Sequence, residues 1–333
     1  MNAKTNKVVR FYETGSADVL TIEDCPVLEP GAGELRIKVD AIGLNRADIM
    51  FREGQYLEAP TFPSRLGYEA SGTVTMTGPD VSDVSIGDRV STIPAFSQGK
   101  YGVYGESAIV PVHAVARYPE NLSVIEGASI WMQYLTAYGG LVEVGNINRG
   151  DTVMITAASS SVGLAAIQVA KKIGAKTIAV TRGGDKQPFL LDAGADHVIV
   201  TDEQNLVDAA KDITDGHGVD LAFDPIGGAM LPQLADAAAA QGTIIEYGAL
   251  APEPTPYPLF AALSKSLTIR GYVLFEITLD PERLRLAKGF VYDGLASGDL
   301  KPLIDKTFSL DKIVAAHQYM ESNCQKGKIV ILV

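Results

Sequence analysis

The sequence predicts an α/β protein in which a doubly wound parallel sheet sits beside a smaller β-rich domain built from both chain ends. Three observations predict it. Between about Ile125 and Gly248, apolar strand-like runs alternate with amphipathic helical stretches, the pattern of parallel strands joined by crossover helices. From Lys7 to about Pro119 the chain instead shows short β-rich segments broken by glycine and proline, the spacing of a small barrel or irregular sheet. After the proline-rich linker Pro252 to Pro258, too little remains to extend the parallel sheet alone, so the end of the chain is expected to return to the first domain.

The N-terminal strand candidates are Leu35 to Ala41, Gly72 to Thr77, Asp88 to Ile93 and Glu106 to Val110. The alternating region follows as Val153 to Thr156, Val162 to Ile173, Thr177 to Thr181, His197 to Val200, Asn205 to Ile213, Leu221 to Asp224, Met230 to Ala240 and Thr243 to Tyr247. The closing part reads as a strand-like Leu267 to Val273, a helix from Pro281, a second helix near Asp311 and an apolar strand, Ile329 to Val333. Expected boundaries are therefore 1–125 for the first part of the β-rich domain, 126–268 for the parallel-sheet domain and 269–333 for the return segment.

A chain of 333 residues exceeds the usual size of one hydrophobic core, and 47% hydrophobic residues can fill two. A formal net charge of −12 argues against nucleic acid or an anionic membrane as the main partner. Cys25 and Cys324 are too few and too far apart for a disulfide scaffold or a zinc knuckle, and they fit a reducing cytoplasm. The polar start, residues 1–7, has no apolar leader, and no run approaches the ~18 apolar residues of a membrane span. A cytoplasmic protein is expected. His113, His197, His217 and His317 share no metal or triad spacing.

The densest signal lies between Asp151 and Lys176. Val153-Met154-Ile155 breaks into Ala157-Ala158-Ser159-Ser160-Ser161-Val162-Gly163 and then into a helix. A turn of small residues between strand and helix lets backbone N–H groups and a helix N-terminus approach a pyrophosphate. A full G-x-G-x-x-G would place glycine at Ala158 and Ser160, and only Gly163 is kept, so an ordinary strand-to-helix turn is the competing reading. The next strand ends Ala179-Val180-Thr181-Arg182 without the carboxylate that binds a ribose diol. Arg182 and Lys186 could instead neutralise a 2′-phosphate, which favours NADP over NAD, with Asp185 as the counter-indication and a solvated surface pair as the alternative.

Further blocks carry a family pattern. Gly43-Leu44-Asn45-Arg46-Ala47-Asp48, Arg52-Glu53-Gly54-Gln55-Tyr56 and Leu66-Gly67-Tyr68-Glu69-Ala70-Ser71-Gly72 are followed by Leu135-Thr136-Ala137-Tyr138, the Ala157-x-x-Ser160-x-x-Gly163 loop, Val219-Asp220-Leu221-Ala222-Phe223-Asp224, Ile269-Arg270-Gly271-Tyr272 and Gly327-Lys328-Ile329-Val330. In this order they resemble the medium-chain dehydrogenases/reductases over essentially the whole chain. The resemblance implies a GroES-like β-barrel catalytic domain plus a doubly wound Rossmann domain.

At the positions where zinc-dependent members carry Cys, His and Cys, alignment places Asn45, Tyr68 and Met132, and Ala47 stands at the hydroxyl relay position. Amide, phenol and thioether are a poor zinc set. Ser91 to Ser107 also lacks the four cysteines of the structural zinc lobe. No metal is therefore expected, and Asp48 and Glu69 read as groups that hold the barrel loops by hydrogen bonds.

The chain thus resembles the zinc-independent quinone, enone and enoyl-thioester reductases. The resemblance implies hydride transfer from NADPH to a quinone or an activated C=C acceptor, whose developing anion needs hydrogen bonds and a proton. Tyr56 is the expected donor. Asn45 is expected at the cofactor's nicotinamide or ribose end, and Arg52 at the acceptor oxygen, with a surface salt bridge as its competing role. Thr136 is expected beside the nicotinamide, Ser160, Ser161, Val162 and Gly163 at the pyrophosphate, Thr181, Arg182 and Lys186 at the adenosine phosphate, and Tyr247 and Gly248 at the adenosine-to-nicotinamide edge. An alcohol or aldehyde dehydrogenase-reductase and a non-catalytic NADPH-binding protein are the alternatives. Family habit implies a homodimer paired through Leu267 to Val273.

Overall fold

The computed structural model describes residues 4–333, and the chain divides into two units. The first comprises the chain up to Met132 together with Pro302–Val333, and the second is Gln133–Lys301.

In the first unit the long strand Glu34–Gly43 is the organiser. It pairs antiparallel with Glu69–Thr77, with Ser107–Pro111 and with the C-terminal strand Lys328–Leu332. Leu35, Ile37, Val39 and Ala41 are buried while Glu34, Arg36, Lys38 and Asp40 lie between them, the period-two pattern of a strand with one face in a core. Arg89–Thr92 and Val115–Arg117 continue the sheet on one side and Ile304–Ser309 on the other. The register steps between Val39 and Ala41, opposite Gly72 and Ser71, where a Cβ on Gly72 would fall 1.9 Å from the Lys38 carbonyl oxygen. Only glycine permits that approach of two backbones.

The second unit is a six-stranded sheet of parallel strands: Thr152–Ile155, Lys176–Thr181, His197–Val200, Val219–Asp224, Ala238–Glu246 and Thr268–Gly271. Numbered from the first, they lie in the order 3-2-1-4-5-6, which reverses direction beside the first strand, where open α/β sheets bind ligands. Met154, Ile178, Val180, Ile199, Ala222 and Ile244 form one buried face with Leu206, Leu231 and Leu234 from the covering helices.

Two sequence expectations change. The boundaries expected at 126 and 269 fall at 133 and 302. Residues 124–132 stay with the first unit because Val124 O accepts the Ser71 hydroxyl, Trp131 Nε1 donates to Ser91 at 3.0 Å and Met132 N donates to Glu69 at 3.1 Å. Residues 269–301 stay with the second, because Thr268–Gly271 is the sixth parallel strand and the helix Pro281–Ser297 leads into Lys301 N, which donates to Gln168 at 3.0 Å. The helix expected over Met230 to Ala240 also ends at Ala237, where the strand Ala238–Glu246 begins.

Candidate active site

The helix Ser161–Ile173 follows directly on the first parallel strand and the small-residue turn. Ser160 is its N-cap, its hydroxyl accepting from Gly163 N at 3.1 Å, so this serine serves the turn first. Helix geometry leaves the N–H groups of Ser161 and Val162 without an intrahelical acceptor, pointing out of a dipole's positive end. A Cβ on Gly163 would meet the Ala158 and Ala157 carbonyl oxygens at 2.6 and 2.7 Å, so glycine is needed for the turn to close. Ala157 takes φ of 44°, a left-handed conformation that costs a non-glycine residue about 1 kcal/mol or more. Small residues and strain together form a cradle that fits a pyrophosphate.

Thr181 ends the second strand and is buried, Arg182 beyond it is exposed, and Lys186 donates to Ser159 at 3.1 Å. Two cations therefore stand past the strand end, one already tied to the turn. Thr136 is buried on the helix Trp131–Tyr138, which widens into a π-helical turn over Gly139–Val144. Glycines are required there, since Cβ atoms on Gly139 and Gly140 would strike Tyr272 Oη and the Phe223 ring at 2.0 and 2.4 Å. Tyr247 lies flat on Phe223, with centroids 4.0 Å apart and planes at 17°, and Gly248 packs on Pro225.

Sequence reasoning missed an acidic pair here, Asp224 buried and Glu246 half-buried. Asp224 and Glu246 end adjacent strands in register. Asp224 accepts from Thr156 and, at 2.7 Å, from Gly227 N. Burial, and then the Asp224 charge, push the Glu246 carboxyl up, since two like charges at adjacent strand ends disfavour double ionisation. The signal was present in the paired strand ends, but only the register brings them together.

In the first unit, Asn45 caps the helix Arg46–Arg52. Its Oδ1 accepts from Lys328 Nζ at 2.6 Å, and the same ammonium meets Glu69 Oε2 at 2.5 Å, with Glu69 and Lys328 both fully buried. This places a fixed cation against the residue at one ligand position of the zinc enzymes. Asn45, Tyr68 and Met132 with that ammonium do not fit a zinc ion, which would face a competing positive charge and no thiolate, imidazole or free carboxylate. Among the described residues no group of three His, Cys, Asp or Glu is placed to hold a metal. Lys328 was not singled out from the sequence because its partners are about 260 and 280 positions away.

Asp48 accepts from Asn45 N and from the Tyr104 hydroxyl, each at 2.9 Å. Tyr56 is half-buried against Tyr68, with ring centroids 6.2 Å apart, and Tyr68 packs on Phe96 at 5.6 Å. Burial pushes the Tyr56 phenol up to about 12, so it holds its proton at neutral pH and can act as a donor.

Arg52 departs from its expected role. Its guanidinium is fully buried and donates to Gly15 O, His317 Nδ1, Glu53 and Glu321 at 2.6–3.1 Å. A cation so engaged ties the helix Arg46–Arg52 to the helix Ile313–Glu321 and is not offered to an acceptor oxygen.

Comparison with known proteins adds the following. Residues 31–120 match the alcohol dehydrogenase GroES-like domain, and residues 161–288 match the zinc-binding dehydrogenase family. The chain is 33% identical to a quinone oxidoreductase-like protein 2 homolog of Nematostella vectensis over 98% of this chain and 89% of that protein. It is 30% identical to human quinone oxidoreductase over 99% and 98% of the two chains. Its structure is similar to Escherichia coli quinone oxidoreductase complexed with NADPH, with a TM-score of 0.91, 27% identity and coverage of 98% and 100%.

Proposed function

Because this chain belongs to the medium-chain dehydrogenase/reductase superfamily, in its quinone-oxidoreductase-like branch, we propose that it is an NADPH-dependent oxidoreductase that reduces a quinone or an activated C=C acceptor without zinc. The observation that carries the reading is the Lys328 ammonium locked between Glu69 and Asn45, the latter at one aligned ligand position of the zinc enzymes. With a cation rather than a zinc ligand set at that position, the acceptor is read as one already electrophilic, as quinones and enones are.

The cofactor NADPH, when bound, supplies the hydride. Ser161 and Val162 would cradle its pyrophosphate through their free backbone N–H groups, in the turn that Ser160 caps and Gly163 allows to close, and Arg182 and Lys186, with Thr181 beside them, would take the 2′-phosphate. Thr136, Tyr247, Gly248 and Asn45 are assigned to its nicotinamide half. Tyr56 donates a hydrogen bond, and then its proton, to the acceptor oxygen as negative charge develops there.

The same reading includes a homodimer in the cytoplasm. Thr268–Gly271 is the edge of the parallel sheet, and nearby Tyr257, Leu259, Phe260 and Leu263 are 52–85% exposed, an apolar surface suited to a second copy. Cys25 and Cys324 are free thiols, and no helix among the described residues is long and apolar enough to cross a membrane. Phe260→Asp with Leu263→Asp should give a monomer in sedimentation, and an unchanged oligomer would remove that surface from the reading.

NADPH and NADH oxidation should be followed against ortho- and para-quinones, enones and aldehydes, with and without chelator. Chelator-insensitive turnover of a quinone or enone with NADPH preferred is expected, and Tyr56→Phe should lower kcat by about a hundredfold. Absence of NADPH binding in a fluorescence titration would overturn the proposal.

A further inference from the structure

A carboxyl group in a dry interior either meets a cation or keeps its proton. Among the described Asp, Glu, Lys and Arg side chains of the first unit, Asp48, Arg52, Glu69 and Lys328 are completely buried. Lys328 is committed to Glu69 at 2.5 Å, and Arg52 to Glu321 and Glu53 at 2.6 and 2.9 Å. That leaves Asp48 without an ion-pair partner of its own, the Lys328 charge acting on it only weakly beside burial and its hydrogen bonds. Its Oδ2 accepts from Asn45 N and the Tyr104 hydroxyl, and its Oδ1 has no hydrogen-bond partner among the described residues. An acidic residue at this position of a capping box is ordinarily wet and ionised. Here the orphaned oxygen is a place for a proton.

The groups around it come from several elements. Tyr104 precedes the strand Ser107–Pro111, and its ring stands edge-on to His317, which burial keeps neutral. Glu69 and Lys328 lie on the strands Glu69–Thr77 and Lys328–Leu332, with Arg52 on the helix of Asp48 itself. Tyr68 and Tyr56 both feel the Asp48 charge, and their ring centroids lie 6.2 Å apart.

We propose that Asp48, in its neutral form, is a positioning residue that sustains the proton-donating strength of Tyr56. The inference rests on the reading of Tyr56 as the acceptor's proton donor. Tyr56 gives its O–H proton to the acceptor oxygen and, being only half-buried, recovers one from water, while Asp48 makes and breaks no bond. Ionised Asp48 would set a negative charge in low dielectric near a developing phenolate, and proton delivery would slow. Burial pushes Asp48 up to about 7, with the Tyr104 hydrogen bond the largest force holding it down, so the change falls near neutrality.

The test compares wild type, Asp48→Asn and Tyr104→Phe by two readouts. Asparagine still accepts from Asn45 N, and phenylalanine keeps the ring while deleting the donor. First, ¹³C-carboxyl NMR of the cofactor-free protein, wild type minus Asp48→Asn, should show one buried carboxyl titrating near neutrality, and Tyr104→Phe should move it to higher pH. Second, acceptor reduction by wild type should fall by about threefold or more between about pH 6 and pH 8.5 beyond any fall in Asp48→Asn, with the Tyr104→Phe midpoint displaced upward. A carboxyl already ionised at about pH 5, or identical pH profiles in all three proteins, overturns the inference. Should Asp48→Asn not fold, the Tyr104→Phe displacement decides alone. A wild type that titrates as expected but consumes no NADPH with any acceptor defeats the functional reading instead, and with it the role of Asp48 though not its protonation.

Discussion

Lys328→Met is the sharpest perturbation of the first unit. The ammonium is bonded to Glu69 at 2.5 Å and Asn45 at 2.6 Å with no solvent at either charged partner. Its aliphatic stem packs closely on Gly43, where an added Cβ would lie 2.8 Å from Cε, so methionine retains much of the volume. What is lost is the charge, leaving a buried carboxylate unpaired and an amide oxygen without its donor. Breaking such a pair from one side costs about 3–5 kcal/mol. Glu69→Gln should cost a comparable amount, since it strands the ammonium. The double variant removes both charges and should recover about 2–3 kcal/mol relative to additivity. Trp131 is the only tryptophan, lies in this unit and donates to Ser91 at 3.0 Å, so its fluorescence during urea denaturation reports the relevant unfolding directly. A Lys328→Met variant within about 1 kcal/mol of wild type, or strict additivity in the double variant, would refute the claim that this pair is dry and mutually dependent.

Further outcomes are expected. Arg52→Gln should destabilise the first unit by about 3 kcal/mol while leaving the acceptor KM of surviving folded enzyme unchanged; a selective rise in KM would restore Arg52 to the acceptor site. Gly163→Val forces a Cβ onto two carbonyl oxygens at 2.6 and 2.7 Å and should weaken NADPH binding by about tenfold or more in a fluorescence titration; unaltered affinity would detach the turn from the cofactor. His317 is held down to about 3 by burial and then by the Arg52 charge. Its folded value lies below its unfolded one, so the stability it contributes is present above about pH 6.5 and is lost as pH falls toward 3. Urea midpoints of His317→Gln should therefore decline less than those of wild type between about pH 6.5 and pH 4, and parallel declines would contradict the burial argument.

The sequence by itself determined the architecture and the cradle. Alternating strand and helix patterns specify the parallel sheet because side-chain period is local, and the small residues from Ala157 to Gly163 specify a tight turn because bulk at those positions cannot be relieved by distant residues. Replacement of Cys and His by Asn45, Tyr68 and Met132 was legible for the same reason, since ligand chemistry belongs to residue type. Tertiary structure decided everything that depends on burial and on pairing across the chain. Arg52, expected at the acceptor oxygen or in a surface salt bridge, is instead buried among His317 and Glu321, and Lys328, which stood only within the block Gly327 to Val330, meets Asn45 and Glu69. Asp48 read as a loop-holding carboxylate, and that role stands, but whether it carries a charge depends on which cations lie near and which are already taken. Thr268–Gly271 could not be assigned from its own four residues, because a short apolar strand joins whichever sheet edge the folded chain presents. Periodicity and residue type are written locally; desolvation and counter-charge are properties of the packed whole.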